Sequence, residues 1–370
     1  MIRILHVLPS LGKGMGIDVV VINYYRFIDR DKIQFDFLIS AQEKQDFEDE
    51  VLSLGGRVFR RPFRTKKPIE NFLAVKNIVN KNKEIKIVHI HHAMSLIMAA
   101  DAISAALGGV KIRIAHSHNN GNNSPILHAL FRPLLRLSAT HYAGCATDAA
   151  RFLFGNKLNN KMKAVKIFAN ARDLSLFQFS PSKRAVMRRQ LALESNVVVI
   201  HVARLAWQKN QEFLLEAFAR ACKQKSGASL HLLIAGDGEL REKLEKKAGS
   251  LAILDKVSFL GLRSDVHDLY QAADIFMLSS LFEGLSSVTI EAQAAGLPCL
   301  VSDTCTREVK VSELVEFLPI DSGVDIWAER LLFYMNFVRK DTSGEVSAAG
   351  YNIQDAARDM ADYYYIQLRV

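Results

Sequence analysis

The residues of this 370-residue chain best placed to do chemistry are two glutamates, two cations, a glycine loop and a group of histidines. The richest stretch is Ser279-Ser280-Leu281-Phe282-Glu283-Gly284-Leu285-Ser286-Ser287-Val288-Thr289-Ile290-Glu291-Ala292. It reads as a strand end, a glycine turn and the start of a helix, with Ser286 or Ser287 as N-cap. Unpaired N–H groups and the positive end of the helix dipole suit a phosphate there. Glu283 in the turn and Glu291 one to two turns into the helix are acceptors that can each grip a pair of sugar or ribose hydroxyls. A second run, His201-Val202-Ala203-Arg204-Leu205-Ala206-Trp207-Gln208-Lys209-Asn210, places Arg204 and Lys209 in one loop after a strand, where they would neutralise a diphosphate. The loop Gly12-Lys13-Gly14-Met15-Gly16 follows the first strand, but its spacing is not that of a dinucleotide fingerprint. His89, His91 and His92 end one strand and His116-Ser117-His118 the next. Clustered histidines are potential zinc ligands, yet no acidic ligand follows at a usable spacing, and we expect no metal.

The Glu283 to Glu291 run resembles the E-x7-E motif of the retaining nucleotide-sugar glycosyltransferases grouped as family 4, and the resemblance extends over nearly the whole chain. Phe282-Glu283-Gly284-Leu285, Glu291-Ala292 and Ala295-Gly296-Leu297-Pro298 carry it beyond the two acids, and Arg204 to Asn210 is similar to the family's G-R-L-x-x-x-K-N element with Ala203 for the glycine. The resemblance implies that Glu283 touches the transferred sugar and Glu291 holds the ribose. It also implies that Arg204 and Lys209 neutralise the leaving diphosphate, and that Gly284, Leu285 and Ser286 line the donor. Gly14 and Gly16 would approach the donor phosphates, although the family's adjacent glycines and its Ile/Met-Glu are here Met15-Gly16-Ile17-Asp18. Arg263, in Gly261-Leu262-Arg263, falls where the family meets the nucleobase. Asn170 to Phe177 resembles the segment entering the linker, with Ala171 and Arg172 as departures. A histidine at the end of the strand Lys111 to His116 faces the reacting sugar in the family; His118 is preferred over His116 because a strand end opening into a loop lets a ring reach substrate. The His-Ser-His-Asn wording, and the run from Asn23-Tyr24-Tyr25-Arg26 to Phe35-Asp36-Phe37, are similar to transferases that build bacterial capsule, O-antigen and exopolysaccharide. Asp29-Arg30-Asp31, a D-x-D by pattern, follows a helix and reads as a solvated turn.

The elements that must position these residues alternate. Arg3 to Leu8, Ile33 to Ser40, Ile87 to His91, Lys111 to His116, Thr140 to Ala143 and Lys163 to Phe168 read as strands, with helices over 17–28 and 95–107. A polar stretch around Ser180-Pro181-Ser182 reads as a linker. Strands resume at Val197 to His201, Leu230 to Ala235, Val257 to Leu260, Ile275 to Leu278 and Pro298 to Val301, with helices over 211–223 and 239–248. This alternation predicts an α/β chain of two Rossmann-like, doubly wound parallel-sheet domains, and the resemblance implies the GT-B type, facing across a cleft. The expected divisions are an acceptor-side domain at 1–178, a nucleotide-sugar domain at 179–350 and a helix at 351–370 that packs back on the first.

Charge is unevenly shared. Residues 1–180 hold 26 Lys and Arg against 14 Asp and Glu, a net of +12, whereas the remainder nets −3. The segment Gly55 to Pro68 interleaves Phe59 and Phe63 with six cations, and is either a docking loop for anionic lipid or a phosphate-bearing acceptor, or a solvated loop. No apolar run reaches the roughly 18 residues of a membrane span, and Met1 to Leu8 is too short for a signal peptide. The four cysteines form no C-x-x-C pair, which fits the cytoplasm, and no helix-turn-helix, zinc-finger or RNP signature points to nucleic acid. The expectation is therefore a cytoplasmic hexosyltransferase, peripheral on the inner face of the membrane. It would take a nucleotide sugar, a UDP-sugar foremost, and a carbohydrate or lipid-linked acceptor, without metal. The alternatives are a nucleotide-sugar 2-epimerase-like isomerase and a non-catalytic subunit of the same fold.

Overall fold

The structure is a computed structural model that describes residues 1–13, 16–118, 125–155, 165–224, 229–283 and 285–369. Contacts divide the chain into two units, one of Met1–Ala171 with Ile353–Val370 and one of Arg172–Asn352.

The first unit holds β1 (Ile2–Leu8), β2 (Ile33–Ile39), β3 (Arg57–Arg60), β4 (Ile85–His91), β5 (Ile112–Ser117), β6 (His141–Gly144) and β7 (Lys166–Ile167), in the order β3-β2-β1-β4-β5-β6-β7. Every described pairing in this sheet is parallel. A parallel sheet is covered on both faces, so its central strands are apolar throughout rather than alternating. One face packs Tyr24, Tyr25, Phe35 and Phe37 with Tyr364 of the helix Ile353–Arg369; the other packs Leu5, Val88 and Ile90 with Met98 and Leu135.

The second unit repeats the plan with β8 (Val197–Val202), β9 (Leu230–Ala235), β10 (Val257–Gly261), β11 (Ile275–Leu278), β12 (Cys299–Ser302) and β13 (Val315–Leu318), in the order β10-β9-β8-β11-β12-β13. The order reverses between β8 and β11, and between β1 and β4 in the first unit. At such a switch point the loops leaving the two strands diverge and open a crevice at the strands' carboxyl ends.

Two local readings are corrected. The stretch around Ser180-Pro181-Ser182 is not a linker but the start of the helix Pro181–Gln190, with Ser180 as N-cap accepting from the Lys183 N–H and Pro181 in the first turn, where its missing N–H costs nothing. The basic segment contains the edge strand β3, and its arginines are largely engaged internally. Arg57 pairs with buried Asp36 at 2.6 Å and with Glu84 at 2.9 Å, Arg60 with Glu48, and buried Arg61 with buried Asp101 at 2.6 Å. Phe63, Lys66 and Lys67 remain exposed.

Candidate functional site

In the second unit the loops leaving β8 and β11 are tied together. The Leu281 N–H donates to the Gln208 carbonyl at 2.8 Å, the Gln208 amide donates to the Phe282 carbonyl at 2.8 Å, and the Ser279 hydroxyl donates to the Asn210 carbonyl at 3.0 Å. Asn210 turns the chain into the helix Gln211–Cys222 with φ of 53°, a left-handed conformation that asparagine tolerates. The result is that Lys209 Nζ meets Glu283 Oε2 at 2.5 Å, both largely buried. Two of the residues singled out by sequence are thus in direct contact, a cation and a carboxylate at the switch point.

Arg204 is placed differently. Its side chain is mostly exposed and pairs with Glu239 at 3.0 Å, on the loop following β9, rather than with Glu283. That loop lies close because Gly236 (φ 141°) and Gly238 have no side chain; a Cβ at Gly236 would stand 1.9 Å from the Ala203 carbonyl oxygen. Arg263 pairs with Asp265 at 2.5 Å in the turn after β10, two strands from β8, and Gly261 there accepts the Gly236 N–H at 2.8 Å.

The helix after the glycine turn runs Ser287–Ala294 with Ser286 as N-cap. The Ser286 hydroxyl accepts from the Thr289 hydroxyl at 2.9 Å and makes no capping bond, so no side-chain cap competes with an anion at the helix start. Glu291 is buried. Arg172 donates to one oxygen at 2.6 Å and the Tyr270 hydroxyl to the other at 3.3 Å, and burial with the adjacent carboxylate holds the Tyr270 phenol well above its ordinary range. Sequence reasoning missed Arg172 and Tyr270 as partners of Glu291; the signal was available only in that Arg172 departs from the linker pattern. Leu285 is buried beside the turn, while Gly284 lies outside the described residues. Trp207 is 69% exposed and Phe282 half-exposed, their centroids 6.0 Å apart, so an aromatic surface flanks the Lys209–Glu283 pair.

In the first unit, Gly14 lies outside the described residues, and Gly16 opens the helix Gly16–Phe27. Asp18, which stands near the family's glutamate, is buried and accepts from the Ser10 hydroxyl at 2.6 Å and the Gly12 N–H at 2.9 Å, shaping the loop from within. Burial raises its pKa to about 6 against those hydrogen bonds.

His116 and His118 are two residues apart and therefore share a face of the sheet; the strand's alternation does not separate them. They differ in depth. They belong to a stack of five buried rings with His6, His89 and His91, bonded in two lines. His6 Nδ1 lies 3.0 Å from His91 Nε2, and His91 Nδ1 lies 2.8 Å from His118 Nε2. His89 Nε2 lies 3.1 Å from His116 Nδ1, and His89 Nδ1 lies 2.7 Å from the Tyr364 hydroxyl. His118, just past β5, is the most exposed of the five, although still buried. Burial lowers the pKa of His6 and His118 to about 3 and holds His89, His91 and His116 well below the ordinary value. One ring nitrogen from each of His6, His89 and His91, and from each of His91, His116 and His118, lies within 4.8 Å of its companions. Ring nitrogens of these histidines also hydrogen-bond to one another. The arrangement suits neutral rings with one polar edge at the strand end.

With this geometry in hand, comparison with known proteins is direct. The family described as "Glycosyl transferases group 1" matches residues 183–332. EpsF of Bacillus subtilis, whose glycosyltransferase assignment is itself provisional, is 36% identical over 340 residues, covering 89% of this chain and 86% of its own. The Escherichia coli UDP-Gal:alpha-D-GlcNAc-diphosphoundecaprenol alpha-1,3-galactosyltransferase is 24% identical over 98% of this chain and 96% of its own. The structure of HepE from Anabaena, solved in complex with UDP and glucose, superposes with a TM-score of 0.79 at 18% identity over 99% of this chain and all of its own.

Proposed function

The chain belongs to the group 1 glycosyl transferases and has their GT-B fold, and from that premise we propose that it transfers a hexose, with retention of configuration, from a UDP-sugar to a lipid-linked or oligosaccharide acceptor in bacterial surface polysaccharide synthesis. The observation that carries this reading is the Lys209–Glu283 pair set beside an uncapped helix start at the β8/β11 switch point. A leaving diphosphate would draw Lys209 and the helix N–H groups, freeing Glu283 for sugar hydroxyls, while Glu291 receives the ribose. Arg204, long and exposed, would leave Glu239 for the diphosphate. These groups supply the charge stabilisation, so turnover is expected to persist in a chelator. His118, a neutral ring just past β5, is assigned as a sugar-contacting residue. Support for the donor and acceptor comes from relatives: the E. coli enzyme is named for UDP-Gal and a diphosphoundecaprenol-linked sugar, and the HepE structure holds UDP and glucose. A lipid-linked acceptor places the protein peripherally on the inner face of the membrane; among the described residues no helix is long and apolar enough to cross it. The isomerase and partner-subunit readings draw no such support from these relatives.

The test is calorimetry of the purified chain with UDP, GDP, and a panel of UDP- and GDP-sugars. The reading expects UDP to bind and at least one UDP-hexose to bind more tightly than UDP. Binding of GDP but not UDP would overturn the donor, and no nucleotide binding would overturn the site.

A further inference from the structure

The helix Pro125–Ser138 in the first unit carries apolar side chains on two faces. His128 and Leu135 point into the unit and are buried. On the other side Ile126 is 85%, Leu130 68% and Leu137 82% exposed, with Leu127 and Leu134 also exposed. At 3.6 residues per turn Ile126, Leu130, Leu134 and Leu137 fall within about 80° of one another, a continuous stripe along a helix about 21 Å long. Exposed aliphatic residues scattered singly need no explanation, but five on one short helix form a patch that soluble surfaces avoid unless something covers it.

The charge around the stripe indicates what that is. In sequence no Asp or Glu occurs from residue 102 to 147, against Lys111, Arg113, Arg132 and Arg136. Arg132 and Arg136 lie along one side of the stripe, half-buried, donating to the Phe152 and Phe154 carbonyls while keeping their charge. Two copies packed stripe to stripe would bring these arginines together with no acid of the same stretch to neutralise them, because an isologous interface repeats each charge. An anionic bilayer accepts both features: aliphatic chains enter below the headgroups and cations lie at their level.

We infer that this helix is the surface by which the chain lies on an anionic lipid bilayer. The inference rests on the reading of a membrane-held acceptor and gives it a location, distinct from the basic segment at 55–68, where Arg57, Arg60 and Arg61 are paired internally.

The experiment is co-sedimentation of the full chain with phosphatidylcholine vesicles, with and without about 30% phosphatidylglycerol. Wild type is compared with the Leu130→Glu/Leu137→Glu and Lys66→Ser/Lys67→Ser variants, after circular dichroism shows equal folding. Light scattering gives the mass of each protein in solution. The expected result is a monomer that sediments with phosphatidylglycerol vesicles, a loss of at least tenfold in apparent affinity for the Leu130→Glu/Leu137→Glu variant, and little change for the lysine variant. Wild type left in the supernatant at low salt, equal binding by the glutamate variant, or a wild-type dimer that the glutamates dissociate would overturn it. UDP binding by the same two proteins reports on the transferase reading separately, since the substituted leucines are not among the residues assigned to the donor.

Discussion

Glu283 and Glu291 are eight residues apart and stand in different surroundings. Glu283 pairs with Lys209, a cation that a diphosphate can compete for; Glu291 is held between Arg172 and Tyr270. Glu291→Gln weakens a buried charge pair, so UDP affinity is expected to fall about tenfold and the second unit to lose about 1–3 kcal/mol of stability. Glu283→Gln is expected to spare UDP but cut use of the sugar nucleotide on the order of 100-fold. Calorimetry with UDP, thermal melts and turnover of the preferred donor separate the two. Parallel losses in both variants would contradict distinct roles. The E-x7-E spacing made both acids visible in the sequence, but not Arg172, which lies 119 positions from Glu291 and meets it only through the fold.

The elements read most easily were the central strands, because burial on both faces makes them apolar runs such as Ile85–His91 and Val197–Val202. The edge strand Arg57–Arg60 was not legible: half its residues are arginines, whose partners Asp36 and Glu48 come from elsewhere in the chain. The exposed stripe on Pro125–Ser138 was equally hidden, since an apolar residue in sequence does not say which face it takes. The histidines were legible as a group but not as a stack, which depends on the register placing β1 beside β4 and β4 beside β5. Their burial has a consequence for pH. Each ring is neutral in the folded state, with a pKa lowered from an ordinary value of 6.5, to about 3 for His6 and His118. Below pH 6.5 the unfolded chain binds protons that the folded unit refuses, so the stability these rings contribute is fully present above 6.5 and is lost as pH falls toward 3. At pH 5.5 the loss relative to pH 7 is about 1 kcal/mol per histidine, or roughly 5 kcal/mol for five as an upper estimate. Melting curves from pH 7.5 to 5 are expected to show the first unit failing first as acid is added. A flat profile across that range would mean the rings protonate in place.

At the scale of the whole molecule, one plan is used twice: each unit has a parallel sheet whose order reverses beside its first strand, and each carries chemistry-bearing residues on the loops or strand ends at that reversal. In the second unit the sequence-derived Lys209 and Glu283 meet at the reversal, and in the first the sequence-derived histidines form a buried stack that ends at His118. The measurement that tests this account most directly is release of UDP from the preferred UDP-sugar in the presence of membrane-extracted acceptor, for wild type and Lys209→Ala. Removing the cation proposed to stabilise the departing diphosphate is expected to slow turnover about 100- to 1,000-fold, or about 3–4 kcal/mol in the barrier, with the fold intact by melting. A Lys209→Ala protein that turns over at the wild-type rate would contradict the account.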